Sequence, residues 1–529
     1  MPSFDWSLPY ASRRQPVFAR NAVSTSQPLA TQAGMAMLEH GGNAVDAALA
    51  TAITLTVVEP CSNGLGSDLF AIVWTGTELV GLNASGTAPA GWTPARFKGR
   101  TVMPERGWDA VTIPGAVAGW RALSQRYGKL PFGDLFGPAI RHAREGWLVS
   151  PVVAAKWAAA VPVMPTGLGW QEHFLPFGRA PAIGERFASA AMASSLEAIA
   201  HSGGESFYRG ELAAAMVGHA QASGSAHALT DFAGYTADWV TPLAHRYRGT
   251  TVHEIPPNGQ GISVLMALGI LQHFDLAGAP VDAPATQHLA IEAMKLAFAD
   301  AYRHVSDGRT MRMPAQALLD PAYLAARARL IDPRRAKNFG PGEPPKGGTV
   351  YLCTADQGGM MVSLIQSNYM GFGSGVVVPG TGISLQNRGC AFSLQSGHAN
   401  EVGGGKRPYH TIIPGFLTRD GAPLAAFGVM GGPIQPPGHV QTLMRLLDYA
   451  ANPQAALDAP RWKVNADQSI DLEGTAAPAL REGLLALGHK VASIADPYMD
   501  YGAGQFIVRM PDGYVAASDS RRDGQAAGY

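Results

Sequence analysis

The sequence predicts an α+β fold in which β-sheets are covered by helices. Three observations carry this. Residues 115–220 hold repeated apolar stripes at helical spacing. After Thr349 the pattern changes to strand-like alternation. The 63 Gly and 39 Pro are spread along 529 residues, which reads as many tight loops rather than disorder.

The elements follow in order. Residues 18–60 read as a strand and two helices. Pro28 suits the first turn of the first helix, and Gly41-Gly42 ends it. Asn43 is a good N-cap for the second helix. A Gly-rich elbow, Asn63–Phe70, leads into strands Phe70–Trp74 and Leu79–Asn83. Helices are expected at Val117–Tyr127, Leu135–Glu145, Val152–Ala160 and Ser194–His201. Residues 251–255 are strand-like and Pro256-Pro257-Asn258-Gly259 breaks them. Helices return at Ile262–Phe274 and Gln287–His304. After a Gly/Pro-rich linker, 338–348, strands are expected over 349–367, 375–386 and 411–428. A helix fits Gly438–Tyr449, and short strands fit Phe506–Arg509 and Tyr514–Ala517. The domain reading is a helix-rich segment 1–348 and a β-rich segment 349–529, forming one composite unit.

Bulk properties exclude several classes. There are 40 Lys+Arg against 40 Asp+Glu, so no net charge favours nucleic acid or an anionic membrane. Cys61, Cys353 and Cys390 are few, odd in number and without metal-ligand spacing, which argues against a disulfide framework and a zinc site. No His-Glu-x-x-His motif is present, and neither Gly128-Lys129 nor Gly405-Lys406 precedes Ser or Thr. The first eight residues lack the basic and apolar regions of a secretory signal. The longest apolar run, Ala47–Val58, is too short to span a bilayer. A cytoplasmic enzyme is the expectation.

Thr349 is the most informative residue. It stands between the exposed-type loop Asn338–Gly348 and the alternating stretch Thr349–Asp356. Cleavage of the Gly348–Thr349 bond would free an α-amine of pKa about 8 on the residue that carries the hydroxyl. Such an amine can serve as the general base for its own side chain. Ser367 closes the second strand, Met360–Ser367; an antiparallel hairpin returns it beside Thr349. Gly428-Val-Met-Gly-Gly432 can form an N–H nest for an oxyanion, or a strand-to-helix turn that needs glycine. Arg388 can bind a carboxylate through a two-pronged contact, or pair at the surface. His410 and Thr411 are either pocket walls or structural hydrogen-bonding groups.

Together these residues resemble the γ-glutamyltransferase family of N-terminal nucleophile hydrolases. The likeness covers nearly the whole chain. It rests on Ser24–Ala30, Gly41–Ala48 and Ile113–Gly119 in the first segment. In the second it rests on Thr349, Asp356, Gly359, Phe372-Gly373, Gly380–Ile383, Arg407, Pro414 and Gly428–Gly432. The resemblance implies a four-layer αββα sandwich, self-cleavage before the threonine, and amide hydrolysis or acyl transfer through an acyl-enzyme. It implies no metal or organic cofactor. By matching position, Thr349 is the nucleophile, Ser367 its hydroxyl partner, and Gly431 and Gly432 the oxyanion donors. Each cleavage fragment would be the other's partner.

The departures point to a different substrate. Glutamyl-specific members hold the substrate α-carboxylate with an arginine where Ser85 stands here. They hold the α-amine with side chains at the positions of Tyr369, Arg388 and Ala391, and contact the carboxylate with two serines where His410 and Thr411 stand. The chain thus resembles a divergent branch that includes oxamate amidohydrolase and glutathione hydrolase-like proteins. The expected activity is hydrolysis of a small, carboxylate-bearing amide such as oxamate. The competing expectations are a γ-glutamyl hydrolase or transpeptidase acting on glutathione, and an unprocessed, non-catalytic binding homologue.

Overall fold

Two seven-stranded antiparallel sheets lie face to face in this computed structural model, which describes residues 13–339, 348–494 and 501–529. The N-terminal octapeptide and residues 340–347 of the expected cleavable loop lie outside the described residues.

One sheet runs in the order Gln525–Gly528, Ala22–Thr25, Gly348–Ala355, Met361–Tyr369, Asp68–Trp74, Leu79–Ala84, Asp238–Val240. The other runs Val17–Ala19, Gly513–Ser518, Ala503–Met510, Ala422–Met430, Gly415–Arg419, Thr250–Glu254, Leu243–Tyr247. Each of these two sheets mixes strands from before and after Thr349, so neither segment builds either of them alone.

Strand alternation separates the layers. Along Asp68–Trp74, Phe70 and Ile72 enter the core between the sheets, while Leu69, Ala71 and Val73 face outward. Tyr351, Cys353, Met361 and Ile365 join the inner core and meet Phe416, Ala426, Met430 and Ile507 of the facing sheet. Val350, Leu352, Val362 and Leu364 point the other way, onto an outer core. Burying each large apolar side chain contributes about 1.5–3 kcal/mol. The two-residue period is what lets one strand serve both layers.

Helices cover both outer faces. Pro28–Glu39, Ala44–Val58 and Ala116–Tyr127 pack on the first sheet. Ile262–Leu271 and Gln435–Leu447 pack on the second, and Pro284–His304 packs against these two helices. The result is a four-layer αββα sandwich. Asn43 caps Ala44–Val58 through a reciprocal capping box with Asp46. Every residue of that helix is buried, which explains a sequence apolar on all sides. Among the described residues no helix is long and apolar enough to cross a membrane.

The expected strands at 375–386 shrink to Val377–Val378 and Ile383–Ser384, joined through a Gly-rich turn. The expected helix at 438–449 begins earlier, at Gln435, because Pro436 and Pro437 occupy the first turn, where the missing N–H groups cost nothing.

Candidate active site

Thr349 sits one residue into the strand Gly348–Ala355 and is buried. Gly348 lies opposite Tyr369 and Val350 opposite Gln366, with a register shift between them. Thr349 therefore faces both Ser367 and Asn368. This bulge re-aims the side chains at the strand end. The Thr349 Oγ1 and Ser367 Oγ atoms are 3.2 Å apart. Ser367 Oγ also accepts the Tyr369 backbone N–H at 2.8 Å. Gln435, at the start of Gln435–Leu447, places its Nε2 3.5 Å from Thr349 Oγ1.

Tyr369 ends the second hairpin strand at φ 76, the left-handed region that bulky side chains avoid. The Arg388 guanidinium lies 4.0 Å from its ring centroid. Arg388 is fully buried; it donates to Thr411 Oγ1 at 2.8 Å and to Ser367 Oγ at 3.4 Å. Among the described residues its Nε has no hydrogen-bond partner and no carboxylate forms an ion pair with it. Burial pulls its pKa down to about 10, opposed by Tyr369 and Asp68, so the guanidinium stays charged at neutral pH.

His410 Nε2 lies 3.0 Å from Asp68 Oδ2, and both residues are buried. The Ile412 N–H points at His410 Nδ1 at 3.4 Å, which assigns the ring proton to Nε2. Asp68 stands opposite Ser367 in the neighbouring strand and accepts the Gly86 N–H at 3.0 Å. Burial raises Asp68 to about 7, against the pull of Arg388. Burial lowers His410 well below 6.5, reinforced by Arg388.

Gln260 joins this wall to the glycine turn. Its Nε2 donates to Thr411 O at 2.6 Å and to Gly432 O at 3.2 Å. Gly431 and Gly432 adopt φ 123 and φ 69. A Cβ on Gly431 would stand 2.8 Å from Gly502 Cα, so the turn needs glycine for space as well as conformation.

Thr349, Ser367, Tyr369, Arg388, His410 and Thr411 thus come together, linked through Gln260 and Gln435 to Gly431 and Gly432. Ser85 is tied to this wall through Asn258, whose backbone carbonyl accepts the His410 N–H at 2.9 Å. Its hydroxyl donates to Asn83 Oδ1 at 2.7 Å and receives Asn258 Nδ2 at 3.3 Å. Asp356 caps the helix Ala44–Val58 by accepting the Ala44 N–H at 2.8 Å. Arg407 pairs with Asp238 and donates to Ser85 O. Asp68, Gln260 and Gln435 escaped sequence reasoning. The one available signal was an acid, Asp68, at the end of a Gly-rich elbow just before an apolar strand.

The sequence shows no clustered set of metal ligands, yet the fold gathers one. The ligand atoms of His288, Glu292 and His489 lie within 4.8 Å of one another. Lys295 Nζ donates to Glu292 Oε1 at 2.9 Å and lies 3.3 Å from His489 Nδ1. An ammonium already stands among these groups, so they form an ion-centred network that ties the two segments together.

A model of the family described as Gamma-glutamyltranspeptidase matches residues 30–529. The chain is 36% identical over 516 residues to the oxamate amidohydrolase proenzyme of Klebsiella pneumoniae, spanning 95% of this chain and 97% of that protein. It is 34% identical over 522 residues to the glutathione hydrolase-like YwrD proenzyme of Bacillus subtilis, spanning 96% and 98%. Among solved structures it matches a cephalosporin acylase from Bacillus halodurans with TM-score 0.94 and 46% identity, covering 100% of this chain and 99% of that one.

Proposed function

The chain belongs to the gamma-glutamyltranspeptidase family, a family of amide-hydrolysing and acyl-transferring enzymes, and from that premise we propose a self-processing threonine amidohydrolase acting on short, carboxylate-bearing amides. The observation that carries the substrate class is the buried Arg388 guanidinium. It is charged, has an unpartnered Nε and lacks a contacting carboxylate among the described residues. A buried charge in this state favours an anionic ligand strongly.

Its position limits the ligand's length. Arg388 donates to Ser367 Oγ, and Ser367 Oγ lies beside Thr349 Oγ1. The carboxylate therefore sits two hydrogen bonds from the nucleophile. That suits a carboxylate on, or one or two carbons from, the scissile carbonyl, as in oxamate. A γ-glutamyl group would instead bring an α-ammonium toward Arg388, and like charges in a dry site repel.

The mechanism has two stages. The Thr349 hydroxyl attacks the Gly348 carbonyl, the acyl group shifts from the Thr349 nitrogen to its Oγ1 and so frees the α-amine, and water hydrolyses the ester to leave a Gly348 carboxylate and a free Thr349 hydroxyl. In turnover Thr349 Oγ attacks the substrate amide and its proton passes to the α-amine. The N–H groups of Gly431 and Gly432 stabilise the oxyanion. The α-amine returns the proton to the departing ammonia or amine. Water, deprotonated by the same amine, then hydrolyses the ester and releases the acid.

The test is the denatured mass of the purified protein, followed by ammonia release from oxamate, malonamate, succinamate and glutaramate. Two fragments, ending at Gly348 and starting at Thr349, with kcat/KM highest for the shorter acids, are expected. A chain that stays uncut, or a preference for γ-glutamyl-p-nitroanilide over all four acids, overturns the proposal.

A further inference from the structure

Strands Gly415–Arg419 and Ala422–Met430 pair as far as Gly415 opposite Phe427. Continuing that register would place Ile413 opposite Val429. Gly504, which faces Val429 from the other side, directs its N–H and C=O to Asp519. The Val429 N–H therefore points into the gap where the two strands part. A helix fills that gap. Ile413 N–H donates to Gln435 Oε1 at 3.0 Å, and Val429 N–H donates to His439 Nε2 at 3.1 Å. Gln435 and His439 are one turn apart on Gln435–Leu447 and share a face.

Each bond sets a second one. Because Gln435 Oε1 is taken by Ile413, its Nε2 turns to Thr349 Oγ1. Because His439 Nε2 accepts, its proton lies on Nδ1, which donates to Glu254 Oε1 at 2.8 Å. Glu254 Oε2 has no partner among the described residues. Burial, then Arg461, pushes His439 down to about 3, so the ring is neutral and able to accept.

We propose that Glu254, His439 and Gln435 are positioning residues that hold the Gly431–Gly432 turn and the Thr349 hydroxyl in catalytic geometry. This rests on the roles assigned above to Thr349, Gly431 and Gly432. Val429 is two residues from Gly431, so its N–H fixes the direction in which the chain enters the turn. An unpaired buried N–H would draw the backbone toward another acceptor. Oxyanion donors tolerate little such displacement.

The test is the rate at which mature fragment pairs are acylated by p-nitrophenyl acetate, with T349A as the blank. His439→Leu removes the acceptor; His439→Gln puts an amide oxygen near the place of Nε2. H439L is expected to acylate about ten-fold or more slowly with KM for the ester unchanged, and H439Q to recover to within about three-fold of wild type. Should H439L fail to mature, Glu254→Leu and Glu254→Gln give the same contrast, slow against near wild type. A wild-type rate in H439L or E254L, or equal slowing within either pair, overturns the inference. No acylation of the wild type above the T349A blank overturns the underlying reading, and this one with it.

Discussion

The hydroxyl oxygens of Thr349 and Ser367 stand 3.2 Å apart, at a bulge where one residue of a strand faces two of its neighbour. Ser367→Ala is expected to slow self-cleavage by about ten-fold or more, because the nucleophile loses the group that orients it. Ser367→Thr should retain most of the rate. The measurement is the time course of fragment formation after purification. Unchanged cleavage in S367A would make the contact structural.

Thr349→Ala should leave a single chain of 55.5 kDa that is folded and inactive. Thr349→Ser should cut more slowly and then turn over, since a primary hydroxyl with the same amine keeps the chemistry. Denatured mass and ammonia release read both steps. Turnover in T349A would sink the proposed nucleophile.

Arg388→Met should raise KM for oxamate by about 10- to 100-fold with a smaller change in kcat, matching about 1.5–3 kcal/mol for a charged hydrogen bond. The same variant should melt at a higher temperature without substrate, because it removes a buried cation that lacks a contacting carboxylate among the described residues. A lower melting point with unaltered KM would mean that Arg388 serves packing rather than substrate.

Asp68→Asn mimics the protonated acid and isolates its titration. Burial raises the folded pKa of Asp68 from 3.8 to about 7, so between these values the folded state binds more protons than the unfolded state. Stability from this group is complete below the unfolded value and is lost as pH rises through about 7. The wild-type melting temperature should therefore fall relative to D68N between pH 4 and pH 7. A constant difference across that range would place the Asp68 pKa elsewhere.

Local features were legible in the chain. The hairpin that returns Ser367 to Thr349 needs only alternation on either side of a glycine turn, and the structure has it. Asn43, Pro28 and the glycines after the first helix carry local signals whose physics is complete within four residues. Asp68 and Gln435 were not legible. Asp68 is separated from Ser367 by almost three hundred residues, and only sheet pairing puts them side by side. The ligand-like cluster of His288, Glu292 and His489 was hidden for the same reason.

By itself the sequence determined the α+β class, the strand and helix periods, the glycines that the turns need, and the position of the hydroxyl that follows a cleavable-type loop. These are set by short-range sterics and by apolar periodicity, which operate between near neighbours. The tertiary structure alone decided which strands lie side by side, and hence that a buried guanidinium, an acid–histidine pair and a helix start surround Thr349. It also decided that the Ser85 hydroxyl bonds to Asn83 and Asn258. Those outcomes depend on how two sheets pack and where two strands part, which are properties of the whole core rather than of any stretch of it.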